Sequence, residues 1–197
     1  MGSNPGLPEA FLHLARMHVI TTERLTLEPQ VAAHADEMFV VLSDPAIYEH
    51  ENEPPSSLEW LRERFTKLES RQSANGQEQW LNWVIRLRTS ELIGYVQATV
   101  FPTGRAAIAY ELSSQYWSRG LAREACRAMI SELAERYQVR SVYAVFKREN
   151  IRSFRLLERL GFAPALPEAS GHYHLESDEL LMLLEREQFN GKRLITV

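Results

Sequence analysis

The sequence predicts an α/β chain of the α+β kind: a mixed, mostly antiparallel central sheet of about six to seven strands flanked by about four helices. Three observations lead there. Strand-like runs at 80–87, 92–101 and 106–112 follow one another across turn-like links at 88–91 and 102–105, and links that short favour antiparallel neighbours. Two amphipathic helical patterns, 120–137 and 150–160, then alternate with a strand-like run at 141–146. A nearly all-apolar run at 179–184 reads as a buried last strand.

Length and charge bound the rest. A chain of 197 residues, 45% hydrophobic, can bury one full core and is short for two, so a single domain is expected over 17–190. Residues 1–16 read as an N-terminal extension or tag-like segment, and 191–197 as a C-terminal tail. The 22 basic and 26 acidic residues give a net charge of -4, which offers no general argument for nucleic acid or an anionic membrane as partner. The one cysteine, Cys126, has no internal disulfide partner and falls on the inner face of a helix, where it serves as a small buried hydrophobe. Reducing cytosol suits it. No apolar run approaches the roughly 18 residues of a membrane span and no secretory leader pattern is present, so a cytoplasmic protein is expected, as monomer or homodimer.

In chain order, 19–28 alternates Arg24, Thr26 and Glu28 with Leu25 and Leu27, a half-exposed strand closed by Pro29. Ala35, Met38, Phe39 and Leu42 give a helix over 32–42, stopped by Ser43-Asp44-Pro45. The segment 46–55 is acidic and irregular. Ser56 and Glu59 form a capping-box pattern ahead of Leu58, Leu61, Phe65 and Leu68, a helix running to about residue 71. In the helix over 120–137, Leu121, Ala125, Cys126, Met129, Ile130 and Leu133 share one face while Arg123, Glu124, Arg127 and Glu132 take the other. Ile151, Phe154, Leu157 and Leu160 point inward from the helix over 150–160, and Gly161 suits a left-handed cap at its end.

The chemistry centres on 110–125, YELSSQYWSRGLAREA, which joins a strand end to a helix start through a polar turn containing Gly120. The first amides of a helix lack internal partners and sit at the positive end of its dipole, so this turn is a candidate phosphate cradle. Together with the order of elements, two motifs resemble the GCN5-related N-acetyltransferase (GNAT) family, in its ribosomal-protein N-terminal acetyltransferase (RimJ/RimL-like) branch. One is YWSRGLAREA at 116–125, similar to the family's signature ending in glycine, any residue, then glycine or alanine, here Gly120 and Ala122. The other is NIRSFRLLERLGF at 150–162, similar to its asparagine-to-glycine-phenylalanine helix. ERLTLEP near the start and DELLMLLERE near the end are also typical of that branch. Trp117 stands where the wider family has glutamine or arginine, and Ser118 replaces a frequent glycine; the amides survive the exchange provided Ser118 does not need positive φ.

The resemblance implies the GNAT fold, with a V-shaped splay between the fourth and fifth strands, 106–112 and 141–146. It implies acetyl-CoA as acetyl donor and no metal. The amides of Arg119, Gly120, Leu121 and Ala122 are then expected to hold the pyrophosphate, within a loop that includes Trp117, Ser118 and Arg123. The backbone of Leu112 pairs with the pantetheine arm, Asn150 bonds it through its side-chain amide, and Arg119, Arg123 and Lys147 stand near the phosphates. The implied reaction is direct attack of a neutral amine on the thioester carbonyl through a tetrahedral species. Glu111, beside Leu112, is the first candidate base, with His172, His174 and Glu176 as alternatives, and Ser153 the candidate donor to the departing thiol. A backbone amide near Leu112 is positioned to polarise the carbonyl.

The acceptor site is expected around Tyr48, Glu49 and Glu51, with Trp83 as a lining residue, carboxylates there attracting a cationic amine. No histidine spacing supports a zinc site. Three functions compete: an acetyltransferase acting on a protein or peptide N-terminal amine; one acting on a small amine such as a polyamine or aminoglycoside; and a non-catalytic acyl-CoA-binding domain.

Overall fold

The computed structural model describes residues 17–50, 53–166 and 175–187. Alternating and apolar runs form one sheet of eight strands: β1 (Ile20–Thr21), β2 (Leu25–Pro29), β3 (Gln79–Leu87), β4 (Leu92–Val100), β5 (Arg105–Leu112), β6 (Ser141–Lys147), β7 (Ala163–Pro164) and β8 (Glu179–Glu185). Their spatial order is β1-β2-β3-β4-β5-β6-β8-β7. Every neighbouring pair is antiparallel except β5 and β6. The strands beyond the six read from hydrophobic pattern are β1 and β7, each of two residues and too short to carry a periodicity. The run over 19–28 breaks into β1 and β2 at a turn closed by Thr22, whose amide donates to the Leu25 carbonyl at 2.9 Å.

The helices are α1 (Ala35–Leu42), α2 (Leu58–Leu68), α3 (Leu121–Arg136) and α4 (Ile151–Leu160). A 3-10 turn, Ala32–His34, takes the first residues of the helix expected over 32–42. The cap of α2 falls one residue later than the capping-box pattern suggested: Ser57, not Ser56, accepts from the Trp60 amide at 3.0 Å. Gly161 ends α4 at φ 97, with its amide bonded to the Glu158 carbonyl at 2.9 Å, as glycine at such a position permits.

Side-chain alternation sends the core to both faces of the sheet. On one face Leu81, Trp83 and Ile85 of β3 pack with Leu121, Ala125, Met129 and Leu133 of α3 and Leu157 of α4. On the other, Val84 and Leu92 pack with Ala35 and Met38 of α1 and Leu61 and Phe65 of α2. Cys126 lies wholly buried in the first cluster. One bulge interrupts β4: Ile85 pairs with Gly94 but Arg86 with Leu92, so Ile93 is an extra residue. Gly94 follows it and touches β5, where a Cβ would stand 2.1 Å from the Glu111 carbonyl oxygen and 2.8 Å from the Leu112 Cα. Only glycine admits that approach.

Candidate active site

The site is built where β5 and β6 part. These parallel strands pair only through Arg105, Ala106 and Ala107 against Ser141, Val142 and Tyr143. Beyond that point β5 stays bonded to β4 as far as Leu112, and β6 to β8 as far as Lys147. Each strand is therefore held by its outer neighbour while the inner edges diverge, exposing strand-pairing groups to the gap between them. The gap opens into a cleft of about 640 Å³, within the range of roughly 300–1,000 Å³ that small-molecule sites occupy.

One wall is the loop into α3. After a 3-10 turn, Ser114–Tyr116, Ser118 takes φ 60 and Gly120 φ 76, two left-handed residues that curl the backbone immediately before the helix. Ser118 thus does need positive φ, contrary to the condition set from sequence. A side chain held there costs about 1 kcal/mol, so the surrounding loop over-determines the conformation. The Trp117 indole donates to the Leu112 carbonyl at 2.8 Å and ties the loop to the end of β5. The opposite wall is the start of α4. There the Asn150 side-chain oxygen accepts from the Ser153 amide at 3.0 Å, which commits the oxygen to capping the helix and leaves the N–H donors of the same group.

Glu111 reaches the cleft from the other face of the sheet. It is the cross-strand partner of Tyr95, whose hydroxyl is hydrogen-bonded to the Glu111 carboxylate and whose ring packs among the α1–α2 residues. Tyr110 and Leu112, on either side of Glu111, pack in the α3 cluster instead. Burial, and then the negative charge of Glu111, push the Tyr95 phenol well above its ordinary value, so it remains a donor. Tyr48 is pushed up likewise, by burial first and then by Glu111 and Asp44, and its hydroxyl donates to the Leu42 carbonyl at 2.7 Å. Asp44 pins the turn after α1 to the end of β5, accepting from the Ser114 amide at 2.7 Å.

Most residues singled out from sequence converge. Glu111, Leu112, Trp117, Ser118, Gly120, Leu121, Ala122, Arg123, Asn150 and Ser153 all line the cleft. Tyr48 and Glu49 flank it, next to Ala46, Ile47 and His50, which line it. Arg119 does not: its guanidinium lies 5.5 Å from the Tyr116 ring and its carbonyl is turned to Arg24, outside the cleft. Trp83 is a correction, since it is 0% exposed in the α3-side core and its indole donates to the His18 carbonyl at 3.0 Å. An inward residue of a central strand cannot reach a gap two strands away. Lys147 is another: it is held by Glu176 at 3.1 Å and Asp178 at 3.0 Å rather than standing free beside a phosphate. That pair also draws Glu176 away from the base role. Glu51, His172 and His174 lie outside the described residues.

Sequence reasoning missed four residues of the cleft region. Arg152, Arg155 and Arg159 line it from α4, and their spacing of three and four residues was a visible basic stripe. Arg152 stacks 4.2 Å over the Trp117 ring and pairs with Glu49, bridging the two sides of the mouth. Tyr95 carried no local signal, because its tie to Glu111 depends on the register of β4 with β5.

The comparisons with known proteins meet this geometry. Residues 24–163 match the family model described as an acetyltransferase (GNAT) domain. The chain belongs to the GNAT acetyltransferase family. This GNAT chain is 28% identical to the N-acetyltransferase p20 of Bacillus licheniformis over 148 residues, 74% of this chain and 83% of that one. Among solved structures, it superposes with TM-score 0.71 and 17% identity on RimL, a ribosomal L7/L12 α-N-protein acetyltransferase in complex with coenzyme A, covering 87% of this chain and 99% of that one. An aminoglycoside acetyltransferase, also with coenzyme A, gives TM-score 0.70 at 20% identity, covering 86% and 99%. A spermidine N-acetyltransferase chimera from Vibrio cholerae and hSSAT gives 0.68 at 17%, covering 84% and 98%. At such identities the likeness is one of fold. The GNAT chain is thus an N-acetyltransferase of a family that uses acetyl-CoA, with its acceptor amine undetermined by relatedness. Among the described residues no helix is long and apolar enough to cross a membrane.

Proposed function

We propose that the cleft binds acetyl-CoA and that the chain acetylates the α-amine of a protein or peptide N-terminus. The observation that carries the cofactor half is the pair of left-handed residues, Ser118 and Gly120, at the start of α3 beside the end of β5, which pairs with β4 but has parted from β6. Such a start offers free amides and a positive dipole end to a pyrophosphate. The amides of Gly120, Leu121 and Ala122 are the donors, with Arg123 on the same wall. The inner edge of β5 up to Leu112 receives the pantetheine arm as an added strand, and the remaining Asn150 donors hold it from α4. Acetyl-CoA supplies the activated acetyl group.

The chain's residues then handle protons and position. Glu111, steadied by Tyr95, takes the proton from an ammonium arriving on the α1–α2 side. Ser153, in the first turn of α4, stands on the wall where a thiol leaves. Charge favours a peptide terminus over a polycation. Among the described residues that line the cleft, Glu111 is the one carboxylate, Arg123, Arg155 and Arg159 are cations, and Arg152 and Glu49 offset each other as a pair. A singly charged terminus needs one carboxylate, whereas a polyamine needs several and meets repulsion here.

The test is thiol-release kinetics with acetyl-CoA against N-terminal peptides, polyamines and aminoglycosides. Turnover confined to peptides is expected. Preference for spermidine or an aminoglycoside retires the peptide acceptor. Gly120→Glu, which puts a side chain and a negative charge in the cradle, is expected to abolish coenzyme A binding in calorimetry, and retained binding rejects the cradle.

A further inference from the structure

We propose that the turn between β1 and β2 is a clasp that positions the pyrophosphate loop, with Arg24 the positioning residue and Glu124 its anchor, an assignment that rests on the cradle reading above. Glu124 lies in the first turn of α3, where a bare carboxylate would compete with an incoming phosphate for the helix start. Both of its oxygens are occupied instead. Oε1 accepts from the Thr22 hydroxyl at 2.6 Å and the Arg24 amide at 2.9 Å, and Oε2 accepts from Arg24 Nε at 2.7 Å. Burial pushes the Glu124 carboxyl up, but these bonds outweigh it and hold the group below its ordinary value. Its charge is matched and turned towards the hairpin.

The same guanidinium reaches the loop itself. Arg24 Nη1 donates to the Arg119 carbonyl at 2.9 Å. A trans peptide is planar with its C=O and N–H pointing opposite ways, and the described chain has no cis bonds. Holding the Arg119 carbonyl against the hairpin therefore aims the Gly120 N–H away from it, towards the cleft that Gly120 lines and Arg119 does not. Arg24 Nη2 also lies 3.5 Å from where a Gly120 Cβ would stand, so the guanidinium backs the bare face of the glycine. Without the clasp this peptide is free to rotate, and a rotated plane presents a carbonyl oxygen to the phosphate.

The test titrates the unaltered chain and Arg24→Met with coenzyme A and with pantetheine, the same arm without its phosphates and nucleoside, followed by amide NMR. The variant is expected to bind coenzyme A about tenfold or more weakly and pantetheine less than twofold more weakly, with amides outside the loop unmoved. Glu124→Ala removes the anchor and leaves Arg24; it should show the same selective loss, and the double variant should bind no worse than the poorer single. Equal weakening of both ligands, no weakening, or additive losses overturn the clasp. If the unaltered chain binds coenzyme A no more tightly than pantetheine, the cradle fails and the clasp with it.

Discussion

Glu111 shows how one residue acquires a role from its surroundings. By itself it is a carboxylate at the end of a strand, and most such groups face water. Here Tyr95 bonds it from β4 and Tyr48 approaches from the turn after α1, both phenols pushed up and therefore kept as neutral neighbours. The Tyr95 hydroxyl bonds the carboxylate at the edge of the cleft without adding a competing charge. Glu111→Gln keeps the shape and the hydrogen bond from Tyr95 but cannot take a proton. It is expected to lower kcat by about a hundredfold, the lower end of what a positioned base contributes, while coenzyme A affinity stays within twofold. A rate unchanged across pH would remove Glu111 from that role. That Glu111 lies at the cleft was legible because it adjoins Leu112 at the end of a strand; its partner Tyr95 was not, since nothing within 92–101 says which residue of 106–112 it faces.

At the scale of elements, the bulge in β4 lies directly before the close approach of β4 to the end of β5. The extra residue Ile93 shifts the strand so that Gly94 meets β5 backbone-to-backbone, with no room for a methyl group against Glu111 and Leu112. Gly94→Ala must push β5 outward at Glu111 and Leu112, where the strand lines the cleft. Thermal or denaturant unfolding should show a loss of about 1–3 kcal/mol, as for other overpacked sites. Activity should fall further than stability explains, with the larger change in kcat; a variant destabilised yet fully active when folded would show that the approach is structural alone. The start of α3 and the end of α4 were read well from sequence, because caps are local: Gly120 and Gly161 stand at those boundaries where their conformational freedom is used. The cap of α2 shifted by one residue because Ser56 and Ser57 offer the same chemistry and only the approach angle of the helix distinguishes them.

For the whole molecule, two carboxylates join parts of the chain far apart in sequence, and both respond to acid. Asp44 links the turn after α1 to the end of β5, and hydrogen bonding from Ser114 holds its carboxyl below the ordinary 3.8. Glu124 links the amino-terminal hairpin to α3 and is held below the ordinary 4.5, bonds from Thr22 and Arg24 overcoming the effect of burial. A group whose pKa is lowered by folding contributes stability that is complete above its unfolded value and is lost as pH falls through the folded one. Stability from these groups should therefore be constant from neutral pH down to the ordinary carboxylate range and decline below it. Glu124→Gln should cost about 1 kcal/mol at neutral pH, with the gap from the unaltered chain narrowing in acid. Melting temperatures measured against pH read this directly; a gap constant at every pH would mean that the charge of Glu124 plays no part.

Several properties of this protein were determined by the sequence alone: the alternation of strands and helices, the helix start at Gly120, the left-handed cap at Gly161 and the family they together indicate. These are local patterns of two to seven residues, and the physics that produces them acts over the same distances. Tertiary structure alone decided which face of the sheet Glu111 serves, that Trp83 is core, that Lys147 is held by carboxylates, and that Arg24 grips a loop whose Arg119 is 95 positions away. Strand register, a bulge and long-range ion pairs set those outcomes, and none leaves a trace in the neighbouring residues because each depends on which distant segment arrives alongside.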